Sequence, residues 1–169
     1  MMATPIDFLR PGALVLLLFS SCPTLCAADS LCSDFKKVVS DAPHLFKNLR
    51  GSFDFYVDEY NGAVTISPFD KCTTSGDEQV MEYKCDIQNL PDDNVAATEK
   101  LKQLAAQLED CEGDALKKQH SVTQTIRYEL KPDDEGVTLQ LMHRLANDRH
   151  PTTYTIQLAI TIVDLGAAQ

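Results

Sequence analysis

The last third of the chain alternates between apolar and polar residues over three consecutive runs, and this period of two constrains the fold most. A period of two places successive side chains on opposite faces of a strand, so each run predicts a strand with one buried face. The connections at 131–136 and 147–151 are rich in turn-forming residues, which favours hairpins between neighbouring strands. The inward positions are Val122, Ile126, Tyr128 and Leu130; then Val137, Leu139, Leu141, His143 and Leu145; and then Tyr154, Ile156, Leu158, Ile160 and Ile162.

A second group of predicted strands lies between residues 52 and 87. The run 53–57 alternates between apolar and polar side chains, and the run 64–68 does so again. Between them, Asn61-Gly62 is a strong signal for a two-residue hairpin turn. The run 79–87 follows a turn-forming Thr-Thr-Ser-Gly sequence and shows the same alternation. These runs predict a meander of three strands.

Residues 31–49 carry apolar side chains at the three- and four-residue spacing of an amphipathic helix. Pro43 lies inside this stretch, and a proline removes one backbone donor and clashes with the preceding turn. We therefore expect a break near Ser40 and Asp41. Asp41 is predicted to cap a short second helix that ends at Gly51.

Another helical stretch separates the two groups of strands. It follows an acidic loop at 89–94, which suits a helix N-terminus, and it reaches about Cys111, before Gly113. The predicted order is helix, three strands, helix, three strands. Because each strand has one apolar face, we predict an α+β fold with a single antiparallel sheet of about six strands and two helices packed on one face.

Residues 1–28 have the layout of a secretion signal. An apolar run at 13–19 follows Arg10 and leads to small residues at 26–28. At roughly 7 to 10 apolar residues, this run is less than half of the ~20 that a membrane-spanning helix needs, so no stable membrane span is predicted. We predict cleavage after Ala28 and one secreted or periplasmic domain at 29–169.

Two alternative interpretations of the first 28 residues stay open. They could form a buried N-terminal helix of the folded domain. They could also form a lipoprotein signal, because Phe19, Ser20 and Ser21 before Cys22 loosely resemble a lipobox in which Cys22 would be acylated. Phe19 stands where a smaller aliphatic residue is usual, which favours plain secretion.

Cleavage after Ala28 would leave four cysteines: Cys32, Cys72, Cys85 and Cys111. In an oxidising compartment this number predicts two disulfides, and four cysteines allow three pairings. The meander brings Cys72 and Cys85 onto neighbouring strands, and antiparallel helices bring Cys32 close to Cys111. We predict these two pairs. The cysteine spacing is too wide for a zinc site, so no metal is predicted.

The acidity of the chain bears on its partners. Since the predicted leader contains one acid, Asp7, and one base, Arg10, the net charge stays at −10 after cleavage. Such a charge repels phosphate backbones, so nucleic acids and anionic membranes are not predicted partners. Solubility is the simpler explanation of the charge, and recognition of a basic partner is the alternative.

The sequence contains no known pattern of catalytic, nucleotide-binding or metal-binding residues, and neither catalytic residues nor a cofactor are predicted. His143 is the exception to consider, because the alternation places it on the apolar face between Leu141 and Leu145. A structural histidine with a local hydrogen bond is the favoured interpretation of this possible buried polar site. The alternative is a catalytic acid or base with an unidentified carboxylate.

The candidate binding residues lie at the first predicted strand. Tyr56 and Tyr60 fall on the face opposite Phe53 and should be exposed beside the acids Asp54 and Asp58. Exposed tyrosines with acids are typical of recognition surfaces, although scattered surface tyrosines explain the pattern as well.

The functional hypothesis from these patterns is a non-catalytic secreted or periplasmic binding module, of the inhibitor, immunity or envelope-accessory type. Its partner would be a protein or a small ligand, and its oligomeric state stays open. The alternative is a small secreted hydrolase that uses His143.

Overall fold

The computed structural model describes residues 24–90, 93–130, 136–145 and 153–163. Within these ranges it contains two α-helices, α1 (Thr24–Ser40) and α2 (Asn94–Glu112), and three short 3-10 helices at Ala42–His44, Lys47–Leu49 and Gly113–Ala115. The eight strands are β1 (Arg50–Asp54), β2 (Glu59–Gly62), β3 (Lys71–Gly76), β4 (Val80–Leu90), β5 (Leu116–Val122), β6 (Thr125–Leu130), β7 (Thr138–Leu145) and β8 (Tyr154–Val163). The fold is of the α+β class.

All eight strands form one antiparallel sheet in the order β1-β2-β3-β4-β8-β7-β6-β5. Each half of the chain supplies one helix followed by a four-stranded meander, so the order of elements occurs twice. The two meanders join along β4 and β8, whose pairing extends from Val80 opposite Val163 to Leu90 opposite Tyr154. This central seam places β1 and β5 at the two edges of the sheet.

One face of the sheet and the inner faces of both helices share a single apolar core. Along β4 the buried positions alternate as predicted, whereas the central strand β8 is buried on both faces from Thr155 to Ile160. The largest fully buried side chains include Tyr83 and Tyr128 from the sheet, Phe35 from α1, and Leu101, Leu104 and Leu108 from α2.

The bounds of α2 confirm the second predicted helix. The carboxylate of Asp93 accepts hydrogen bonds from the backbone N–H groups of Val95 and Ala96, so Asp93 is the N-cap. The helix ends at Gly113, whose φ of 54° lies in the left-handed region that favours glycine.

The first predicted helix breaks where Pro43 predicts it, because α1 ends at Ser40 and short 3-10 helices follow. The predicted capping role of Asp41 is wrong. Its carboxylate makes no cap hydrogen bond and instead accepts from the backbone N–H of Asn48 at 3.1 Å and from the Asn48 side-chain amide at 2.6 Å. Asp41 thus closes the loop between the two 3-10 helices.

The prediction of about six strands is wrong, since the described residues form eight. The Thr-Thr-Ser-Gly sequence at 73–76 belongs to β3, and the turn lies at 77–79. There the Asp77 carboxylate accepts the backbone N–H groups of Gln79 and Val80, which stabilises the turn. β5 was also missed, because its residues beyond Leu116 are exposed on both faces and show no apolar alternation.

The predicted hairpin turn at Asn61-Gly62 is also wrong, because both residues lie in β2. The turn that joins β1 to β2 lies at 55–58. Gly62 has a packing role instead: a Cβ at this position would collide with the hydroxyl of Tyr83 and press on Cys72. The local preference of Asn-Gly for turns is overridden by this tertiary contact.

The predicted packing of two helices side by side on the sheet needs correction as well. α2 lies against β7 and β8, whereas the close backbone contacts of α1 are with α2 and the 3-10 helix Ala42–His44. The side chains of Phe35 and Val38 still reach the common core from α1. A covalent link between the two helices holds α1 against α2.

That link is one of two disulfides, and both pairs are the predicted ones. Cys32 in α1 joins Cys111 in α2, with a Cα–Cα distance of 5.3 Å. Cys72 in β3 joins Cys85, its direct neighbour in β4, with a Cα–Cα distance of 4.1 Å. The first disulfide connects the two halves of the chain, and the second lies within the first half.

Several predicted features lie outside the described residues. These are most of the predicted secretion signal, together with the connections at 131–135 and 146–152. The strands on either side of those connections pair antiparallel as expected, β6 with β7 and β7 with β8. Among the residues described, neither helix combines the length and apolar character required to cross a bilayer.

Candidate functional site

A cleft of about 740 Å³ opens beside the hairpin formed by β1 and β2. Three segments line it: residues 45–50 after α1, the hairpin residues 53–60, and residues 75–81 around the turn between β3 and β4. We call this space the hairpin cleft. Because its lining comes from two turns and their flanking strands, the cleft lies near one edge of the sheet.

The turn at 55–58, which we call the hairpin tip, exposes large apolar side chains. Phe55 is 86% exposed, Tyr56 is 100% exposed and Val57 is 55% exposed. The tip is held by local contacts, because the Asp54 carboxylate accepts the backbone N–H of Tyr56 at 3.0 Å. Asp58 completes the turn with a φ of 56°, a left-handed conformation that aspartate tolerates better than most residues.

An aromatic cluster supports the tip from below. The ring of Phe53 packs edge-on against Phe55, with centroids 4.8 Å apart, and against Tyr60, also at 4.8 Å. Phe53 and Tyr60 are cross-strand partners on the same face of the hairpin. Aromatic pairs of this geometry each contribute roughly 0.5–1.5 kcal/mol, so they stiffen a hairpin that has few other contacts.

Arg50 connects this cluster to the body of the protein. Its guanidinium lies over the Tyr60 ring, 5.1 Å from the centroid, in a cation–π contact. Its Nη2 donates to the carbonyl oxygen of Leu45 at 3.3 Å and lies 3.6 Å from the sulfur of Met81. Among the described residues, the buried Nε of Arg50 has no hydrogen-bond partner. The guanidinium is therefore committed to contacts within the cleft wall.

The other charged residues of the cleft lining are mostly acids. Glu59 forms an ion pair with Lys84 at 2.7 Å, whereas Asp58, Asp77 and Glu78 form no ion pair with any described residue. Hydrogen bonds from the backbone N–H groups of Val80 and Gln79 hold the pKa of Asp77 below its usual value. Asp77 is therefore an anion at neutral pH.

All four predicted binding residues lie in this hairpin. Asp54 holds the tip, Tyr56 is its most exposed side chain, and Asp58 and Tyr60 line the cleft. The predicted exposure of Tyr60 on the face opposite Phe53 is wrong, because the turn comes earlier and places Tyr60 on β2, against Phe53. The binding role of the four residues stays a prediction.

Sequence reasoning missed several residues that contribute to the site. The alternation of 53–57 assigned Phe55 and Val57 to the buried face, but the strand ends at Asp54 and both residues lie in the turn. Arg50 was missed because it lies between helical and strand patterns. The Asp77 and Glu78 carboxylates were missed with the turn that carries them.

His143 lies far along the chain from the hairpin and is buried, with 3% exposure. The hydroxyl of Thr98 donates to the Asn94 carbonyl at 2.7 Å, so it accepts from His143 Nε2, which lies 3.3 Å away. The Tyr154 ring packs against the imidazole with centroids 5.7 Å apart. In the described part of the chain, His143 Nδ1 has no partner and no carboxylate contacts the imidazole.

No cluster of three or more His, Cys, Asp or Glu side chains suited to a metal ion occurs among the described residues. Comparison of the chain with protein-family models, with curated proteins and with solved structures finds no match. The functional inference therefore starts from the hairpin tip, the hairpin cleft and the charges around them.

Proposed function

We propose that this protein is a non-catalytic binding module, secreted or periplasmic, that binds a protein partner through the hairpin tip and the hairpin cleft. The exposure of Phe55, Tyr56 and Val57 on one turn is the observation that carries this proposal. Inhibitors, immunity factors and envelope accessory proteins act by such binding, and the proposed binding module is of this type.

The energetics favour burial of the tip by a partner. An aromatic side chain hides about 150–250 Å² when fully buried. Full burial of a large apolar side chain contributes roughly 1.5–3 kcal/mol relative to full exposure, before the costs of association. Phe55 and Tyr56 are exposed in the free chain, so only burial by a partner can supply this free energy. Exposed aromatic residues next to a cleft are typical of the central residues of protein interfaces.

The scaffold behind the tip is suited to rigid presentation. The disulfide Cys72–Cys85 crosslinks the two strands next to the hairpin, and the aromatic cluster with Arg50 anchors the hairpin itself. Rigid presentation lowers the entropy lost on binding. Two disulfides are consistent with an oxidising compartment outside the cytoplasm, and export through residues 1–28 is part of the proposal.

The alternative of a small hydrolase finds no supporting observation. A catalytic His143 would need access to substrate and a carboxylate within hydrogen-bond reach. Its 3% exposure and its contacts with Thr98 and Tyr154 agree better with a structural residue that fixes α2 against the sheet.

Site-specific photocrosslinking in the native compartment tests the proposed function. The full chain carries benzoylphenylalanine in place of Tyr56, and a matched control carries it in place of Val95, which is 71% exposed on α2. We expect one discrete adduct from position 56 and none from position 95. The double variant Phe55→Ser/Val57→Ser, with the crosslinker kept at position 56, should reduce the adduct strongly. Equal adducts from both positions, or none from position 56, would contradict the proposal.

A further inference from the structure

We propose that the partner of the hairpin presents a lysine or arginine flanked by an apolar residue, and that the basic side chain enters the hairpin cleft. This inference rests on the proposed function, because it names the chemistry of the partner at the same site. The occupant is a segment of another protein chain rather than a small molecule or a nucleic acid.

The apolar half of this recognition comes from the hairpin. Phe53 and Tyr60 line the cleft as half-buried rings, and Val57 extends the apolar surface from the cleft to the exposed tip. A flanking apolar side chain of the partner would pack on this surface while Phe55 and Tyr56 close over the next stretch of its chain. Apolar contacts supply most of the affinity in such interfaces.

The acidic half comes from both sides of the cleft. Asp58 belongs to the hairpin tip, and Asp77 and Glu78 belong to the turn between β3 and β4, so a cation in the cleft meets carboxylates from two directions. In the part of the chain that the structure describes, none of the three forms an ion pair. All three are exposed side chains on the rim of the cleft, so their charges are available to a partner.

The basic residues of the lining do not reverse this preference. Arg50 places its guanidinium on the Tyr60 ring and donates to the Leu45 carbonyl, and its Nε is buried. Lys47 is the remaining cation among the described lining residues, against the three acids Asp58, Asp77 and Glu78. The net charge of −10 acts in the same direction at longer range, because it speeds the approach of basic partners and repels acidic ones.

Titration of the full chain with two short peptides tests the inference. The probes are acetyl-Leu-Arg-Phe-amide and acetyl-Leu-Glu-Phe-amide. Their binding is monitored at low salt through the amide chemical shifts of the isotope-labelled protein. We expect the arginine peptide to shift the amides of Phe53, Asp58 and Asp77 and to bind at least about tenfold more tightly than the glutamate peptide, equivalent to ~1.4 kcal/mol. Added salt should weaken its binding, because exposed charges are screened.

A matched pair of variants separates the cleft acids from the general acidity of the chain. Asp77→Asn/Glu78→Gln removes two charges from the cleft, and Asp110→Asn/Asp114→Asn removes two exposed charges near the end of α2. We expect the first variant to lose most of the preference for the arginine peptide and the second to keep it. Unchanged amide spectra away from the substitutions establish that both variants are folded.

The two proposals fail in different ways. Equal or tighter binding of the glutamate peptide, or equal effects of the two charge variants, would overturn the basic-partner inference while a crosslink from position 56 still supports the binding module. If neither peptide shifts the hairpin amides, the basic-partner inference is overturned as well. The absence of a crosslink from position 56 is what contradicts the proposed function itself.

Discussion

At the residue scale, hydroxyl and carboxylate groups fasten the helices and loops to the sheet. The hydroxyl of Tyr83 donates to the Val64 carbonyl, which holds the loop after β2 over the core, and burial raises the pKa of this phenol. The hydroxyl of Tyr128 donates to Glu109 at 2.7 Å and joins β6 to α2. Burial, together with this carboxylate, raises the pKa of Tyr128 well above its usual range. Such contacts are satisfied only in the correct packing, so they select one arrangement.

Glu109 allows a pH-dependent test at this scale. Lys118 donates to the Glu109 carboxylate at 2.7 Å, and Tyr128 donates to it as well. These hydrogen bonds lower the pKa of Glu109 from 4.5, and the one from Lys118 has the larger effect. A carboxyl with a lowered pKa in the folded state stabilises the fold above its unfolded pKa, and this stabilisation is lost as the pH falls through the folded pKa.

We predict that Glu109→Gln lowers the free energy of unfolding by no more than ~1 kcal/mol at pH 7, because the carboxylate is partly exposed and solvent screens the ion pair. The glutamine keeps an acceptor for Tyr128 and removes only the charge. Urea unfolding should show the difference at pH 7 and its progressive loss as the pH falls below 4.5. Glu99→Gln, in an exposed pair with Lys102 on the same helix, is the control. A difference that persists undiminished in acid would refute the assignment.

At the element scale, the sequence predicts those helices and strands whose own residues show a clear periodic pattern. α2 has an apolar stripe, an N-cap and a terminal glycine, and β7 and β8 alternate over their whole length. β3 was missed because its Thr-Thr-Ser-Gly ending matches turn composition, and its pairing with β2 and β4 makes it a strand. Likewise Asn61-Gly62 pairs with β1 and β3 instead of turning. Pairing with the neighbouring strands overrides such local preferences.

The same distinction explains how much of the candidate site could be predicted. Tyr56 and Asp58 were identified because exposed aromatic and acidic residues are visible in the pattern of a strand. The cleft itself was not predictable, since it requires the turn at 77–79 to lie beside the hairpin tip. That proximity depends on the order of β1 to β4 in the sheet.

The edge strand β5 shows how the sheet avoids unwanted pairing. Its exposed residues include Lys117 and Lys118, and the register with β6 shifts between Lys118 and His120. Lysines and bulges on edge strands hinder the addition of another strand. β5 is therefore protected against association, in contrast to the apolar hairpin tip at the other edge of the sheet.

The two disulfides should contribute unequally to the free energy of unfolding, and this is the second prediction. Cys32–Cys111 closes a separation of 79 residues and Cys72–Cys85 one of 13 residues. Loop-closure entropy makes the longer closure more stabilising by ~1–2 kcal/mol. Cys32→Ala/Cys111→Ala should therefore lower the free energy of unfolding more than Cys72→Ala/Cys85→Ala, as measured by urea denaturation without reductant. The reverse order would show that packing around the strand disulfide dominates.

At the scale of the whole molecule, the chain consists of two successive units of one helix and four strands that join at a central seam. The seam between β4 and β8 is the longest strand pairing in the sheet, and its inward side chains lie in the common core. The disulfide Cys32–Cys111 crosses from the helix of the first unit to the helix of the second. The two units are thus held together by hydrogen bonds, by the core and by a covalent bond.

This covalent bond has a consequence for cleavage of the chain by proteases. The most exposed aromatic side chain, Tyr56, lies between Cys32 and Cys111 in the chain, so a cut there falls inside the ring that the disulfide closes. We predict that limited chymotrypsin treatment cleaves after Tyr56 and yields one band on a non-reducing gel and two on a reducing gel. Two bands without reductant would contradict it. A molecule cut at the hairpin tip would then stay in one piece, because the Cys32–Cys111 disulfide joins the two fragments.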